Sequence, residues 1–219
     1  MNEARDPIGR LHVITDESLQ DRFSHARLAG MAAEGGADRV QYREKRHHST
    51  RAMVETARAM TESLADFETS LVIDDRVDVA VAVVAGGVHL GRDDLQAEVA
   101  RQVLGNGALI GGTANSLEEA LRVAESPVDY LGVGPVFGTR SKADPAPVLG
   151  LEALARIVEA VDLPVIAIGS ITAERVPEVL AVGAYGVAVL SAVVCDPDPR
   201  EATRRLRRAV DTFDAAAPR

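Results

Sequence analysis

The chain has 219 residues, of which 47% are hydrophobic and 3% aromatic, and its formal net charge is -9. This charge argues against general binding to nucleic acid, and so few aromatic residues leave little surface on which bases can stack. No apolar run is long enough to span a bilayer, and the N-terminal residues lack the apolar core of a signal peptide. The single cysteine, Cys195, fits a reducing cytoplasm, and its apolar neighbours predict that it is buried and inert.

Short β-prone runs alternate with helical stretches along the whole chain. The predicted strands cover 11–15, 38–43, 70–73, 88–90, 108–111, 128–133, 164–168 and 186–190. The predicted helices cover 24–34, 50–64, 77–85, 95–103, a segment starting at Ser116 with a capping box to Glu119, 151–160, 173–182 and 199–212. Eight β-then-α units without a break in composition predict an α/β fold, a single-domain (β/α)8 TIM barrel over 1–219 with a frayed tail at about 213–219. A doubly wound open sheet is the alternative, but it would leave uniformly apolar strands at its edges.

Polar residues follow the predicted strands at the end where barrel enzymes place their active sites. The charged run Arg43, Glu44 and Lys45 follows the second strand, and Gln41 and Arg43 share one face by the period-two rule. Alternatively, residues 43–45 form an ordinary solvated surface segment. Asp75 and Asp94 follow the third and fourth strands, where they are either helix N-caps or two oxygen ligands of a shared Mg2+. His12 and His89 are interpreted as histidines with satisfied hydrogen bonds rather than as bases.

The segment 129–142 begins as a buried strand and continues into a loop rich in hydroxyls and cations. Glycines beside these side chains leave backbone N–H groups accessible, which is typical of a phosphate site. A polar surface loop fits the pattern equally well. A second phosphate site is predicted after the seventh and eighth strands, at Gly169–Ser170 and Ser191. Cations, separated carboxylates and hydroxyls, without a Ser-His-Asp set, suit a magnesium-bound diphosphate leaving group.

Several short motifs occur in order along the chain. They are Gln-Tyr-Arg-Glu-Lys at 41–45, Asp-Asp-Arg-Val-Asp-Val-Ala at 74–80, Gly-Val-His-Leu-Gly-Arg-Asp-Asp at 87–94, Gly-Val-Gly-Pro-Val-Phe at 132–137, Thr-Arg-Ser-Lys at 139–142 and Ala-Ile-Gly-Ser-Ile at 167–171. Each motif alone is a weak signal, whereas their order and spacing form a strong one. Together they resemble the thiamine phosphate synthase (thiamin-phosphate pyrophosphorylase) family over nearly the whole chain.

The resemblance implies a magnesium-dependent transferase with two small-molecule substrates and neither nucleic acid nor membrane as a partner. It would join hydroxymethylpyrimidine diphosphate to a thiazole phosphate, plain or carboxylated, through a pyrimidine-methyl cation. Mg2+ would be bound by Asp75 and Asp94. The catalytic cations would be Arg43, Lys45 and Lys142. The pyrimidine diphosphate would be bound by Gln41, Tyr42, Arg43, Glu44, Lys45, Asp74, Thr113 and Lys142. The thiazole phosphate would be bound by Thr139, Arg140, Ser141, Ser170, Leu190 and Ser191.

The chain departs from the family pattern at several of these positions. Asp74 stands where the family usually has Asn, which places an extra anion near the expected diphosphate and either adds a metal ligand or weakens substrate binding. Ser170 stands for a usual Gly. Thr113 replaces Ser and Ser141 replaces Thr, so both positions keep a hydroxyl. Asn115 occupies a place where relatives often have His. That His is expected in a related thiazole tautomerase, which is the second hypothesis; a non-catalytic thiazole or thiamine phosphate-binding barrel is the third. A cytoplasmic location and a possible homodimer complete the predictions.

Overall fold

The structure is a computed structural model that describes residues 8–139 and 146–216. Eight parallel strands close a barrel in sequence order, with β8 paired to β1. The strands are β1 (Leu11–Thr15), β2 (Arg39–Tyr42), β3 (Ser70–Asp74), β4 (Gly87–Leu90), β5 (Leu109–Ala114), β6 (Tyr130–Val133), β7 (Val165–Ile168) and β8 (Gly186–Val189). The helices are α1 (His25–Glu34), α2 (Thr50–Leu64), α3 (Val77–Val83), α4 (Ala97–Leu104), α5 (Leu117–Ala124), α6 (Gly150–Ala160), α7 (Val176–Ala181), α8 (Ser191–Val194) and α9 (Pro199–Ala216).

The predicted (β/α)8 barrel is confirmed, and the open sheet is excluded by the pairing of β1 with β8. The predicted N-terminal cap of α5 is also present, since Ser116 Oγ accepts a hydrogen bond from the Glu119 amide at 3.2 Å. The short helix α8 was not predicted, because four residues are too few to show a helical period. Helix α7 begins at Val176, later than the predicted start at 173.

Alternation along the strands separates two apolar regions. Val13, Val40 and similar outward side chains form the main core between the barrel and the helices. A smaller cluster, which includes Ile14 and Tyr130, fills the barrel interior. The interior also holds the imidazole of His89, for which Gly132 leaves room: a Cβ at that position would lie 2.7 Å from His89 Cε1. The lower barrel is therefore a filled core, and open space remains at the carboxyl ends of the strands.

The prediction that Cys195 is buried is wrong. Val193 and Val194 of α8 are buried, but Cys195 follows them at the C-cap and its side chain is exposed. An apolar segment of one helical turn buries only the face that meets the core, so the next residue turns outward. Among the described residues, no helix combines the length and the hydropathy that crossing a bilayer requires.

Candidate active site

Two cations that follow β2 lie at the mouth of the barrel. The guanidinium of Arg43 pairs with the carboxylate of Asp16, which follows β1 and is 2% exposed. The other oxygen of Asp16 accepts a hydrogen bond from the Ser18 amide at 2.8 Å, so the carboxylate is fixed. Gln41 is buried, and because Val40 and Tyr42 belong to the outer core, its side chain faces the barrel interior. These pairings do not fit the reading of 43–45 as a solvated surface run.

Lys45 meets two carboxylates from the end of β3. Its Nζ lies 2.9 Å from Asp74 Oδ2 and also pairs with Asp75. Burial opposes the charge on Lys45, but Asp74 and Asp75 outweigh it and raise the pKa of the ammonium group. Burial, followed by the charge of Asp75, raises the pKa of Asp74. Lys45 therefore stays charged, and it balances only part of the negative charge around it.

Asp75 and Asp94 face one another from the ends of β3 and β4. Their carboxyl groups are joined by a hydrogen bond; burial and this bond raise the pKa of Asp94 to about 6. Burial acts against ionisation of Asp75 as well, but the hydrogen bonds from Asp94 and Lys45 lower its pKa. Asp75 also has φ of +64°, a left-handed conformation that costs energy for a residue with a side chain. We call Lys45, Asp74, Asp75 and Asp94 the mouth cluster.

The mouth cluster fits a divalent cation. Asp75 and Asp94 present facing carboxyl groups from neighbouring strand ends, and Mg2+ prefers such oxygen ligands. The alternative reading of Asp75 and Asp94 as helix N-caps is wrong. Arg76 and Gln96 hold the N-cap positions of α3 and α4, and neither side chain makes a capping bond.

Thr113 lies on the interior face of β5, below the mouth. Its Oγ1 is 2.9 Å from His89 Nε2, and His89 Nδ1 is 3.1 Å from the hydroxyl of Tyr130. His12 is likewise satisfied, because its Nε2 contacts the Ile8 carbonyl at 3.0 Å, and burial lowers its pKa to about 4. Both histidines thus match the sequence interpretation, and His89 orients the predicted pyrimidine-binding hydroxyl of Thr113.

An open depression of about 380 Å³ lies at the ends of β7 and β8. It is lined by Ser170, Ile171, Thr172, Arg175, Ser191 and Ala192. Ser170 has φ of +49°, a left-handed conformation that glycine adopts without strain, and its Oγ donates to the Gly138 carbonyl at 3.0 Å. The predicted residues Ser170 and Ser191 therefore line the same concave surface.

Arg175 is a site residue that sequence reasoning missed. Its Nη1 donates to the Ser170 carbonyl at 2.8 Å, and its guanidinium lies 4.4 Å from the centre of the Phe137 ring. These contacts hold a cation at the edge of the depression. The sequence placed Arg175 inside a helix, whereas it occupies the N-cap position of α7, directly beside the loop after β7.

Other predicted site residues do not join these two regions. The ring of Tyr42 is 2% exposed and faces the outer core, where it packs edge-on against His25 with centroids 4.7 Å apart. Glu44 turns away from the mouth toward His25 and Arg46. Leu190 packs against the interior apolar cluster. Thr139 is the last described residue before the gap, and Arg140, Ser141 and Lys142 lie outside the described residues.

Comparison with known proteins gives a consistent result. The family profile described as thiamine monophosphate synthase matches residues 11–193. The thiamine-phosphate synthase of Salinibacter ruber is 50% identical over 208 residues, which cover 95% of this chain and 91% of that protein. The thiamine-phosphate synthase of Chloroflexus aurantiacus is 45% identical over 208 residues, covering 95% of each. A solved structure of thiamine phosphate pyrophosphorylase from Pyrococcus furiosus superposes with a TM-score of 0.84 at 42% identity, covering 93% of this chain and 96% of that one.

Proposed function

We propose a mechanism for this chain on the premise that it belongs to the thiamine monophosphate synthase family and is a transferase that forms thiamine phosphate. The substrates are the diphosphate of hydroxymethylpyrimidine and a thiazole phosphate. The C–O bond to diphosphate breaks first, and diphosphate leaves with the bonding electrons. The thiazole nitrogen then donates its lone pair to the pyrimidine-methyl cation, which forms the C–N bond. A carboxylated thiazole would also release CO2.

One observation carries the proposal: the ends of β2, β3 and β4 bring Lys45, Asp74, Asp75 and Asp94 together at the mouth. A leaving diphosphate needs cations more than acid–base groups, because its own oxygens take up the developing charge. Arg43 and Lys45 supply two of these cations, and Asp16 and Asp74 hold them in position. Lys142 would supply a third. Its role stays a prediction, since it lies outside the described residues.

Asp75 and Asp94 would hold the magnesium ion. When bound, Mg2+ would offset the negative charge of the diphosphate. Asp94, with a pKa of about 6, is largely ionised at neutral pH, and the pKa of Asp75 is lowered, so the chain would supply two carboxylate ligands at this point. No side-chain contact with the diphosphate is assigned to Tyr42 or Glu44, because both side chains point away from the mouth.

The depression after β7 and β8 would hold the thiazole phosphate. Ser191 offers a hydroxyl donor there, Ser170 would become one on exchanging its bond to the Gly138 carbonyl for the phosphate, and Arg175 adds a positive charge. Thr139, Arg140 and Ser141 would approach the same phosphate from the loop after β6. Thr113 would meet the pyrimidine from β5, and Gln41 would approach it from β2. Both rings would then lie over the barrel axis, where the interior side chains exclude water from the cation.

The remaining proposals concern location and assembly. A cytoplasmic location suits a biosynthetic transferase with small-molecule substrates, and a homodimer is a common assembly for barrels of this size. Gel filtration of the purified protein at several concentrations would measure the assembly directly.

The experiment that tests the function uses purified protein, both substrates and Mg2+. We expect thiamine phosphate and diphosphate in equal amounts, and chelation by EDTA should abolish turnover. Asp94→Asn should lower turnover by about 100-fold, because it removes one of two metal-binding carboxylates. Asp93→Asn, at an exposed neighbouring position, is the matched control and should be near wild type. Equal activity of the two variants would contradict the proposed metal site.

A further inference from the structure

A second group of charged side chains lies on the outer side of the barrel, near the ends of β1 and β2. It consists of Glu17, His25 and Glu44, and we call it the outer cluster. One ligand atom from each residue lies within 4.8 Å of the others. His25 begins α1, and its ring packs against Tyr42 in the layer between barrel and helices. The outer cluster is not part of the proposed reaction, because its side chains point away from the barrel mouth.

The hydrogen bonds of Thr15 determine which nitrogen of His25 carries the proton. The Thr15 hydroxyl donates its one hydrogen to the Gln41 carbonyl at 3.1 Å, since a carbonyl oxygen only accepts. The same hydroxyl oxygen lies 2.7 Å from His25 Nδ1. When the hydroxyl donates to this carbonyl, Nδ1 is the donor in the contact with Thr15. In the neutral ring, Nε2 then carries a bare lone pair.

That lone pair faces anions. His25 Nε2 lies 3.5 Å from Glu44 Oε2 and 4.0 Å from Glu17 Oε1, and the His25 side chain is 1% exposed. Nε2 is a buried polar atom without a hydrogen-bond partner among the described residues. A buried lone pair directed at two carboxylates is unfavourable unless a positive charge lies between them.

Burial and neighbouring charges act on all three groups of the outer cluster. Burial lowers the pKa of His25 despite the two carboxylates, which favours the neutral ring. Burial opposes ionisation of Glu44, but hydrogen bonds from Arg46 outweigh it and lower its pKa to about 2. The pKa of Glu17 is lowered in the same way, against its partial burial, by Arg46 and by the His25 amide. The outer cluster thus brings one imidazole nitrogen and two carboxylate groups within 4.8 Å of one another.

We propose that the outer cluster is a site for a divalent transition-metal ion of the Zn2+ class, bound by His25 Nε2 and by carboxylate oxygens of Glu17 and Glu44. An imidazole ligand favours such an ion over Mg2+, which prefers oxygen alone. The Nδ1–H bond to Thr15 orients the ring as metal-bound histidines require. His48 is a further nitrogen nearby, since its Nε2 lies 3.5 Å from Glu44 Oε2.

Arg46 competes with the metal ion for the same carboxylates. Its Nη2 lies 2.5 Å from Glu44 Oε2 and 2.8 Å from Glu17 Oε2, while its side chain is 43% exposed. Removing the guanidinium should therefore strengthen metal binding. Loss of a carboxylate should weaken it. A merely structural ion-pair network would not predict these opposite effects.

The test is calorimetric titration of the full-length protein with ZnCl2 in excess Mg2+, which keeps the mouth cluster supplied with its proposed metal. We expect one saturable Zn2+ site, weakened by about tenfold or more in Glu17→Gln and Glu44→Gln and strengthened in Arg46→Gln. Glu17→Gln keeps an oxygen for the His25 amide, so it should fold even if Glu44→Gln does not. Asp75→Asn is the control and should leave Zn2+ affinity unchanged.

The nitrogen-15 NMR signals of His25 give a second readout. Without metal, they should report a neutral ring with the proton on Nδ1, and Zn2+ should shift the Nε2 signal. The proposal is overturned if no saturable site exists or if Glu17→Gln binds Zn2+ as tightly as wild type. It is equally overturned if Asp75→Asn abolishes binding, since the ion would then occupy the mouth cluster.

Discussion

The mouth cluster and the outer cluster use alternate residues of one short segment. After β2, Arg43 and Lys45 point to carboxylates at the barrel mouth, whereas Glu44 and Arg46 turn to the outer side. Period-two alternation thus continues past the last residue of the strand and divides four consecutive charged residues between two environments. A charge run that looks uniform in sequence therefore serves two sites with different chemistry.

The two clusters differ in how they hold negative charge. At the mouth, burial and the contact with Asp75 raise the pKa of Asp94 to about 6. On the outer side, hydrogen bonds from Arg46 outweigh burial and lower the pKa of Glu44 to about 2. The mouth is a site where anions remain incompletely balanced, as a cation site requires. The outer carboxylates are paired with Arg46, which a metal ion would have to displace in the proposed site.

Substitutions of Lys45 and Arg46 should show the largest difference between the two clusters. Lys45→Ala should lower turnover by about 100-fold or more, because it removes a cation that faces the diphosphate. Arg46→Ala should change turnover by no more than about threefold, since its ion pairs with Glu17 and Glu44 lie outside the mouth cluster. Steady-state kinetics of the two variants measure the difference. Similar losses in both would mean that the segment acts as one unit.

A pH series should distinguish the two clusters next. Mg2+ competes with the proton held by Asp94, so its apparent affinity should fall as pH falls through about 6. The expected loss is about tenfold between roughly pH 7 and pH 5. Zn2+ affinity of the outer cluster should fall less over this window, because Glu44 stays ionised and burial lowers the pKa of His25. Mg2+ activation curves and Zn2+ calorimetry at each pH measure the two affinities. An Mg2+ affinity independent of pH would contradict the expected competition between Mg2+ and the proton of Asp94.

Asp74→Asn should have the smallest effect, and it tests whether Asp74 repels the diphosphate or binds the metal ion. Asp74 holds Lys45 at 2.9 Å, so its removal should leave Lys45 more available to the diphosphate. We expect KM for the pyrimidine diphosphate to fall by about fivefold, or roughly 1 kcal/mol of relieved repulsion. Asp78→Asn is the control, because Asp78 is exposed and pairs with Arg76. A fall in turnover instead would identify Asp74 as a metal ligand.

The fold could be predicted closely from the sequence because its signals are local. Apolar β runs and helical stretches alternate, and α2 occupies the predicted residues 50–64 without change. The carboxylate pair Asp75 and Asp94 was also predictable, since strand ends of a barrel meet at one rim. The direction in which a side chain points beyond the end of a strand could not be predicted in this way. Tyr42 and Glu44 belong to the same motif as Lys45, yet both face the outer side.

The sequence by itself determined the barrel, the family and the rim on which the charged residues collect, because periodicity and ordered motifs are properties of the chain. Only the tertiary structure decided which of those residues meet. It placed Arg175 beside Ser170 and left Cys195 exposed. It also placed Nε2 of His25 near the carboxylates of Glu17 and Glu44. Such contacts form where loops and strand ends pack together, and their distances depend on packing that no local pattern encodes.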